Sequence, residues 1–283
     1  MSDVEKLFEG LRSRRWEARK AAAQAMAKIG APAVTYLTKA LADENPDVRL
    51  IAAKAMGWMK STEAVAPLIK ALADEDSGVR KTAAEALASI RDAGAVTALV
   101  NMLKDEDWSA REAAAEALGS IGDRSAITPL MAALRDVYLD VREAAVEALV
   151  QIGKSSVSHL INALNDGYPD VRWCAAKALG KVKDSQAVVP LMQLVRDYDP
   201  GVRQAAIETL GKIGDSQAVT PLIDVLKDEV SSVRWAAVKS LEQIGDPRAI
   251  APLNEALKDK NSGVRFTAAK AIESIRRRSP GLK

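Results

Sequence analysis

The chain has 283 residues, of which 40 are Lys or Arg and 38 are Asp or Glu, giving a formal net charge of +2 at pH 7. So balanced a charge offers no bulk attraction to nucleic acid or to an anionic membrane, and any electrostatic preference must come from local patches. A single cysteine, Cys174, excludes an internal disulfide, and a single histidine, His159, removes most metal sites and histidine-dependent catalysis.

No apolar run approaches the roughly 20 residues that cross a bilayer. The first residues, Met1-Ser2-Asp3-Val4-Glu5-Lys6, lack the hydrophobic region of a signal peptide. A cytoplasmic protein without membrane contact is the expectation.

The organisation is periodic. Arg19, Arg49, Arg80, Arg111, Arg142, Arg172, Arg203, Arg234 and Arg265 recur at intervals of 31 residues, with two intervals of 30. An aspartate stands six residues before each of the last eight (Asp43, Asp74, Asp105, Asp136, Asp166, Asp197, Asp228 and Asp259), while the first repeat has Ser13 there. Ile29, Met59, Ile90, Ile121, Ile152, Val182, Ile213, Ile244 and Ile275 come ten residues after the arginines. A period of this length means stacked supersecondary units, each touching only its neighbours. The predicted repeats in chain order are 1–30, 31–60, 61–91, 92–122, 123–153, 154–183, 184–214, 215–245 and 246–276, one array over 1–276 with a basic tail, 277–283, after it.

Within the third repeat, Val65, Leu68, Ile69 and Leu72 fall at helical spacing, as do Val79, Ala83, Leu87 and Ile90, so the unit is helix, turn, helix. Between repeats, Gly122-Asp123, Gly214-Asp215 and Gly245-Asp246 supply a left-handed stop and a new helix cap. Two connections, at Gly30 and Gly153, are one residue shorter and account for the 30-residue intervals. Pro67, Pro129, Pro190, Pro221 and Pro252 lie inside the first helices and either kink them or sit in their first turn, depending on where those helices begin. Alanines such as Ala52-Ala53, Ala83-Ala84 and Ala175-Ala176 crowd the second helices and allow close packing. Arg276-Arg277-Arg278 and the residues after them are expected to lie beyond the last helix.

Segments such as Ala126-Ile127-Thr128-Pro129-Leu130, succeeded by Asp140-Val141-Arg142-Glu143-Ala144-Ala145, resemble HEAT repeats, and more narrowly the short class found in phycobilin lyase subunits and in artificial consensus HEAT-like binders. The resemblance implies an all-α, right-handed α-solenoid of about nine repeats. It further implies a concave side lined by second helices and a structural ladder of the repeated Arg and Asp. A row of arginines gripping phosphates is the weaker reading, since each has a carboxylate in a matching column. The paired His-Glu motifs of the family's iron hydroxylase have no counterpart here, and no residue carries over from the lyases.

Columns that repeat carry architecture, so recognition belongs to columns that vary and face outward. On the second helix the buried direction is set by the positions −1, +3, +7 and +10 from the arginine, and −2, +1, +2, +5 and +9 point away. These columns predict an acidic centre of Glu85, Glu112, Glu116, Glu143 and Glu147, then an aromatic and basic stretch of Trp173, Lys177, Trp235, Lys239 and Phe266. Leu50, Ile51 and Trp58 form an apolar cluster in the second repeat, and Trp108 stands three residues before its arginine. Exposed large aromatics favour a binding surface. The plain alternative is a solvated glutamate face with tryptophans lying over alanine-rich neighbours.

These residues point to a noncatalytic scaffold whose concave face grips a protein or peptide, a basic segment of it opposite the glutamates. No catalytic residue, metal site or cofactor is expected. Two alternatives are a lyase-like subunit handling a tetrapyrrole, for which the chain offers no clear nucleophile, and a nucleic-acid binder, which the acidic centre would repel.

Overall fold

The computed structural model describes residues 3–278, and all regular structure among them is helical. The chain forms two compact units, Met1–Ile152 and Gly153–Lys283. The division falls at Gly153, one of the two shortened connections.

Unit 1 contains α1 (Asp3–Leu11), α2 (Trp16–Ile29), α3 (Ala31–Ala40), α4 (Pro46–Met59), α5 (Val65–Ala71), α6 (Ser77–Ile90), α7 (Val96–Met102), α8 (Trp108–Ile121), α9 (Ile127–Ala133) and α10 (Leu139–Ile152). Unit 2 contains α11 (Val157–Ala163), α12 (Pro169–Val182), α13 (Val188–Leu194), α14 (Pro200–Ile213), α15 (Val219–Asp224), α16 (Ser231–Ile244), α17 (Ile250–Ala256) and α18 (Ser262–Arg278). Odd and even helices alternate as short first and longer second members of each pair. In unit 1 the second helices α2, α4, α6, α8 and α10 pack side by side in order, and in unit 2 α12, α14, α16 and α18 do the same, each also resting on its own first helix. Each unit is an all-α solenoid. Among the described residues no helix is long and apolar enough to cross a membrane.

Most first helices from the third repeat onward open with a 3-10 turn, as at Thr62–Ala64, Ala93–Ala95 and Ser185–Ala187, capped by the side chains of Ser61, Asp92 and Asp184. The α-helix proper then begins two residues before the recurring proline, as in Val65-Ala66-Pro67. The prolines therefore occupy the first turn, where the missing N–H has no intrahelical acceptor to lose. Gly122, Gly214 and Gly245 end their helices with φ of 76°, 79° and 77°, and Asp123, Asp215 and Asp246 each cap the 3-10 turn of the next repeat. Lys60, Arg91 and Lys183 adopt the same left-handed cap without being glycine, at φ of 52°, 61° and 56°.

The core is built of small side chains. Ala52, Ala83, Ala114, Ala175, Ala206 and Ala237 are fully buried together with Leu87, Leu118, Leu179 and Leu210. Close approach goes further at Gly180, where an added Cβ would stand 2.7 Å from Thr209 Oγ1. That hydroxyl donates to the carbonyl of Ala176 at 2.9 Å, and Ser240 donates to Ile207 in the same way, so the second helices of unit 2 are tied backbone to side chain across the layer.

The second helix is buried over a wider arc than the sequence periodicity predicts. In the interior repeats the column two residues after the arginine, expected to face outward, is buried instead: Ile51 and Cys174 have no exposed surface and Ala113 has 1%. The reason is that a second helix has three neighbours, its own first helix and a second helix on either side, so only a narrow stripe is left to solvent. Ile51 belongs to the core and leaves the predicted binding cluster. The C-terminal arginines also differ from expectation, because α18 runs on through Arg276–Arg278. Arg277 pairs with Glu273 one turn back, and Arg278 Nη1 donates to the Gln243 carbonyl at 3.3 Å, which holds the last turn in place. The rest of the predicted tail, 279–283, lies outside the described residues.

Candidate functional site

The repeated arginines are structural, as their matching carboxylates suggest. Arg80 donates from Nε and Nη2 to Asp105 at 2.8 and 2.7 Å, and its Nη1 reaches the carbonyls of Asp74 and Glu75 at 2.9 and 3.2 Å. Arg49 with Asp74, Arg111 with Asp136, Arg172 with Asp197 and Arg234 with Asp259 repeat this fork, always across 25 residues. Each rung thus ties one repeat's second helix to the turn of the next. The aspartate also closes its own turn, as Asp105 does by accepting from the Asp107 N–H at 2.9 Å. In the first repeat, where the interval is shorter, Arg19 pairs with Asp47 and Arg12 takes Asp43. Hydrogen bonds to the carboxylates raise the guanidinium pKa values of Arg80 and Arg234, and the bond from Arg234 holds the Asp259 carboxyl below its usual range.

What remains for a partner is the stripe made by the positions +1, +5 and +9 from the arginine, all exposed or half-buried. In unit 1, α6 contributes Glu85, α8 contributes Glu112 and Glu116, and α10 contributes Glu143 and Glu147. Glu112 is partly neutralised by Lys81 on α6, whose Nζ lies 3.6 Å from its carboxylate. Burial, reinforced by the negative charges of Glu112 and Glu85 and opposed by Lys81, raises the pKa of the Glu116 carboxyl. Glu85 and Glu112 thus lie within electrostatic reach of Glu116.

The apolar cluster of the second repeat is reduced to Leu50, half-buried, and Trp58, 43% exposed. Trp58 lines a shallow hollow of about 570 Å³ with Gln24, Ala27 and Lys28 of α2. Trp108 is already engaged, its ring stacked on Tyr138 with centroids 5.9 Å apart and planes 18° from parallel. The same tyrosine lies under the Arg111 guanidinium at 5.6 Å, so Trp108 borders the ladder.

On α12, α16 and α18 of unit 2 an aromatic stands at position +1 and a lysine one turn later, whereas on α14 Gln204 donates to Glu208 at 2.8 Å in those places. Lys177 lies over the Trp173 ring at 4.1 Å and Lys270 over the Phe266 ring at 4.4 Å. Lys239, at the corresponding place after Trp235, lies 3.8 Å from Glu242 instead. Trp235 donates its indole N–H to Thr267 Oγ1 of the adjacent α18 at 3.1 Å, and Phe266 is 63% exposed.

A family model described as HEAT repeats matches residues 4–88, 65–150, 157–242 and 219–281, and one described as PBS lyase HEAT-like repeat matches 141–166. No curated protein matches the chain. Among solved structures, the chain is similar to Kap121p at 14% identity and a TM-score of 0.73, over 96% of this chain and 37% of that one. It is similar to importin beta at 15% identity and a TM-score of 0.70, over 96% of this chain and 46% of that one. Kap121p has been solved bound to Pho4p and to the extreme C-terminus of the protein phosphatase Cdc14p. The complex of CpcE and CpcF of phycocyanin lyase from Nostoc sp. PCC7120 is similar at 25% identity and a TM-score of 0.50, over 53% of this chain and 99% of that one. The chain therefore spans less than half the length of the two karyopherin-type structures, and the likeness to them is one of fold.

Proposed function

We propose, from the premise that the chain belongs to the HEAT repeat family, that it is a noncatalytic scaffold binding a protein or peptide on its second-helix layer. A basic segment of that partner lies along the glutamates of unit 1. One observation carries the reading: the adjacent helices α6, α8 and α10 place Glu85, Glu112, Glu116, Glu143 and Glu147 in the same exposed columns, with Lys81 3.6 Å from Glu112. Gathering like charges costs stability, and a basic ligand reverses that cost. The ladder meanwhile holds the stripe rigid, so little order has to be gained on binding. Leu50 and Trp58 extend the surface toward α2 and α4 with apolar anchorage. That Kap121p binds protein segments on a related fold is consistent with this use of the scaffold.

The test is titration of the full chain with an acetylated, amidated lysine-rich dodecapeptide at low and moderate salt. Binding that weakens with salt and is lost in the Glu112→Lys/Glu116→Lys variant, with helicity unchanged, is the expected result. Equal binding by variant and parent would overturn the proposal.

A further inference from the structure

The +1 and +5 columns of the two units are structurally equivalent, and in unit 1 they fold with glutamate, lysine, glutamine and leucine. The fold therefore makes no demand for aromatic residues there. Unit 2 nevertheless places Trp235 and Phe266 side by side on α16 and α18, 39% and 63% exposed. Cations outnumber anions around them: Lys212, Lys239, Lys270 and the exposed Arg276–Arg278 at the end of α18 stand against Glu208, Glu242 and Glu273, of which Glu242 pairs with Lys239 and Glu273 with Arg277. The Trp235 ring is fixed by its bond to Thr267, so one aromatic wall is set before any ligand arrives.

We infer that the α14–α16–α18 face of unit 2 is a second docking surface, opposite in sign to the glutamate stripe, and that its occupant is an extended acidic peptide segment carrying apolar side chains. The charge of the lysines selects carboxylates, and the exposed rings select apolar contact. Spacing argues for an extended peptide. Packed helices stand about 8–10 Å apart, which matches every third residue of an extended polyproline II chain, where residues three apart share a face at a rise of about 3.1 Å per residue. Stacked bases of a single strand would need a much closer succession of rings. Lys270, already over Phe266, brings its charge to the place where an apolar side chain of the ligand would meet the ring. The inference shares with the proposed function only the use of the second-helix layer, and it concerns different residues.

The experiment is a calorimetric titration of the full chain with the acetylated, amidated peptide Glu-Asp-Leu-Glu-Asp-Phe-Glu-Asp-Leu-Glu-Asp-Phe. Trp235→Ala and Phe266→Ala are each expected to weaken binding tenfold or more, and Lys239→Glu/Lys270→Glu to abolish it. Phe266→Gln should leave thermal stability unchanged, because the ring is mostly in solvent. The Glu112→Lys/Glu116→Lys variant should bind this peptide as the parent does, which separates failure here from failure of the unit 1 proposal. No binding at millimolar peptide, or binding insensitive to Trp235→Ala, Phe266→Ala and Lys239→Glu/Lys270→Glu alike, would overturn the inference. Tighter binding of an oligothymidylate lost in the same variants would overturn the choice of a peptide. Self-association of the chain lost in those variants would make a second copy the occupant and overturn it equally.

Discussion

Replacing Arg234 by methionine isolates one rung of the ladder. The parent pair is deeply placed, with 4% of the arginine side chain and 9% of the Asp259 side chain exposed. Methionine keeps most of the aliphatic packing but removes two charge-assisted bonds of 2.7 Å to Asp259 and frees the carbonyls of Asp228 and Glu229. Removing one partner of a buried pair costs about 3–5 kcal/mol, because the other charge stays buried. Asp259 retains a bond from the Asn261 N–H at 2.8 Å, which argues for the lower figure. Repeat arrays can open in parts, so the measurement is amide hydrogen exchange in α16 and α18. About 3 kcal/mol corresponds to exchange faster by roughly 100-fold. The pH dependence checks the cause. With Arg234 present the folded carboxyl titrates below its ordinary 3.8, so the rung's contribution is complete above that value and fades as pH falls through the lower, folded one. The difference between parent and variant should therefore narrow below about pH 3.8. Acceleration under about fivefold at pH 7, or a difference that widens in acid, would refute the reasoning; Arg234→Met/Asp259→Leu should recover much of the loss.

Gly180→Ala should destabilise unit 2 by about 1–3 kcal/mol despite alanine's better helix propensity, since its Cβ would press on Thr209 Oγ1, and Thr209→Ala should relieve part of that in a thermal melt. Lys183→Gly removes the strain of a left-handed cap at a residue with a Cβ and should stabilise by about 1 kcal/mol, read as a higher denaturant midpoint. Burial and Glu112 raise the Glu116 carboxyl above its usual 4.5, so the ionised form opposes folding at pH 7 and that opposition disappears as pH falls through the raised value. Glu116→Gln should accordingly raise the melting temperature at pH 7 while weakening the lysine-rich peptide.

Most of the fold was legible because the chain states it many times over. The arginine and aspartate columns, the Gly-Asp connections and the alanine layer each recur, and a recurring signal averages out local ambiguity. The site of the prolines was legible only once the 3-10 turns located the helix starts, since a two-residue shift decides between a tolerated and a broken bond. Ile51 was misplaced because a periodicity reading allows a helix one buried direction, whereas packing gives the second helices three. Arg276–Arg278 read as tail because their helix is sustained by Glu273 and Gln243, contacts that charge composition does not reveal. The outward columns +1, +5 and +9 were correctly placed as surface. No internal period records what such a surface is for.

The narrowness of the exposed stripe makes neighbouring residues behave oppositely, and Leu50 and Ile51 are the sharpest case. Leu50 is half-buried on the stripe, where the equivalent position of the next repeat is Lys81. Leu50→Lys should therefore fold normally, its stem lying along α4 and its ammonium in water. Ile51 has no exposed surface and packs within the helix layer. Ile51→Lys must either bury a charge or break the layer apart, and even truncation of such a side chain costs about 2–5 kcal/mol. Circular dichroism melts should then show Leu50→Lys near the parent and Ile51→Lys unfolding far below it. If the two variants melted together, the buried arc assigned to the second helices would be wrong, and with it the restriction of recognition to three columns per repeat.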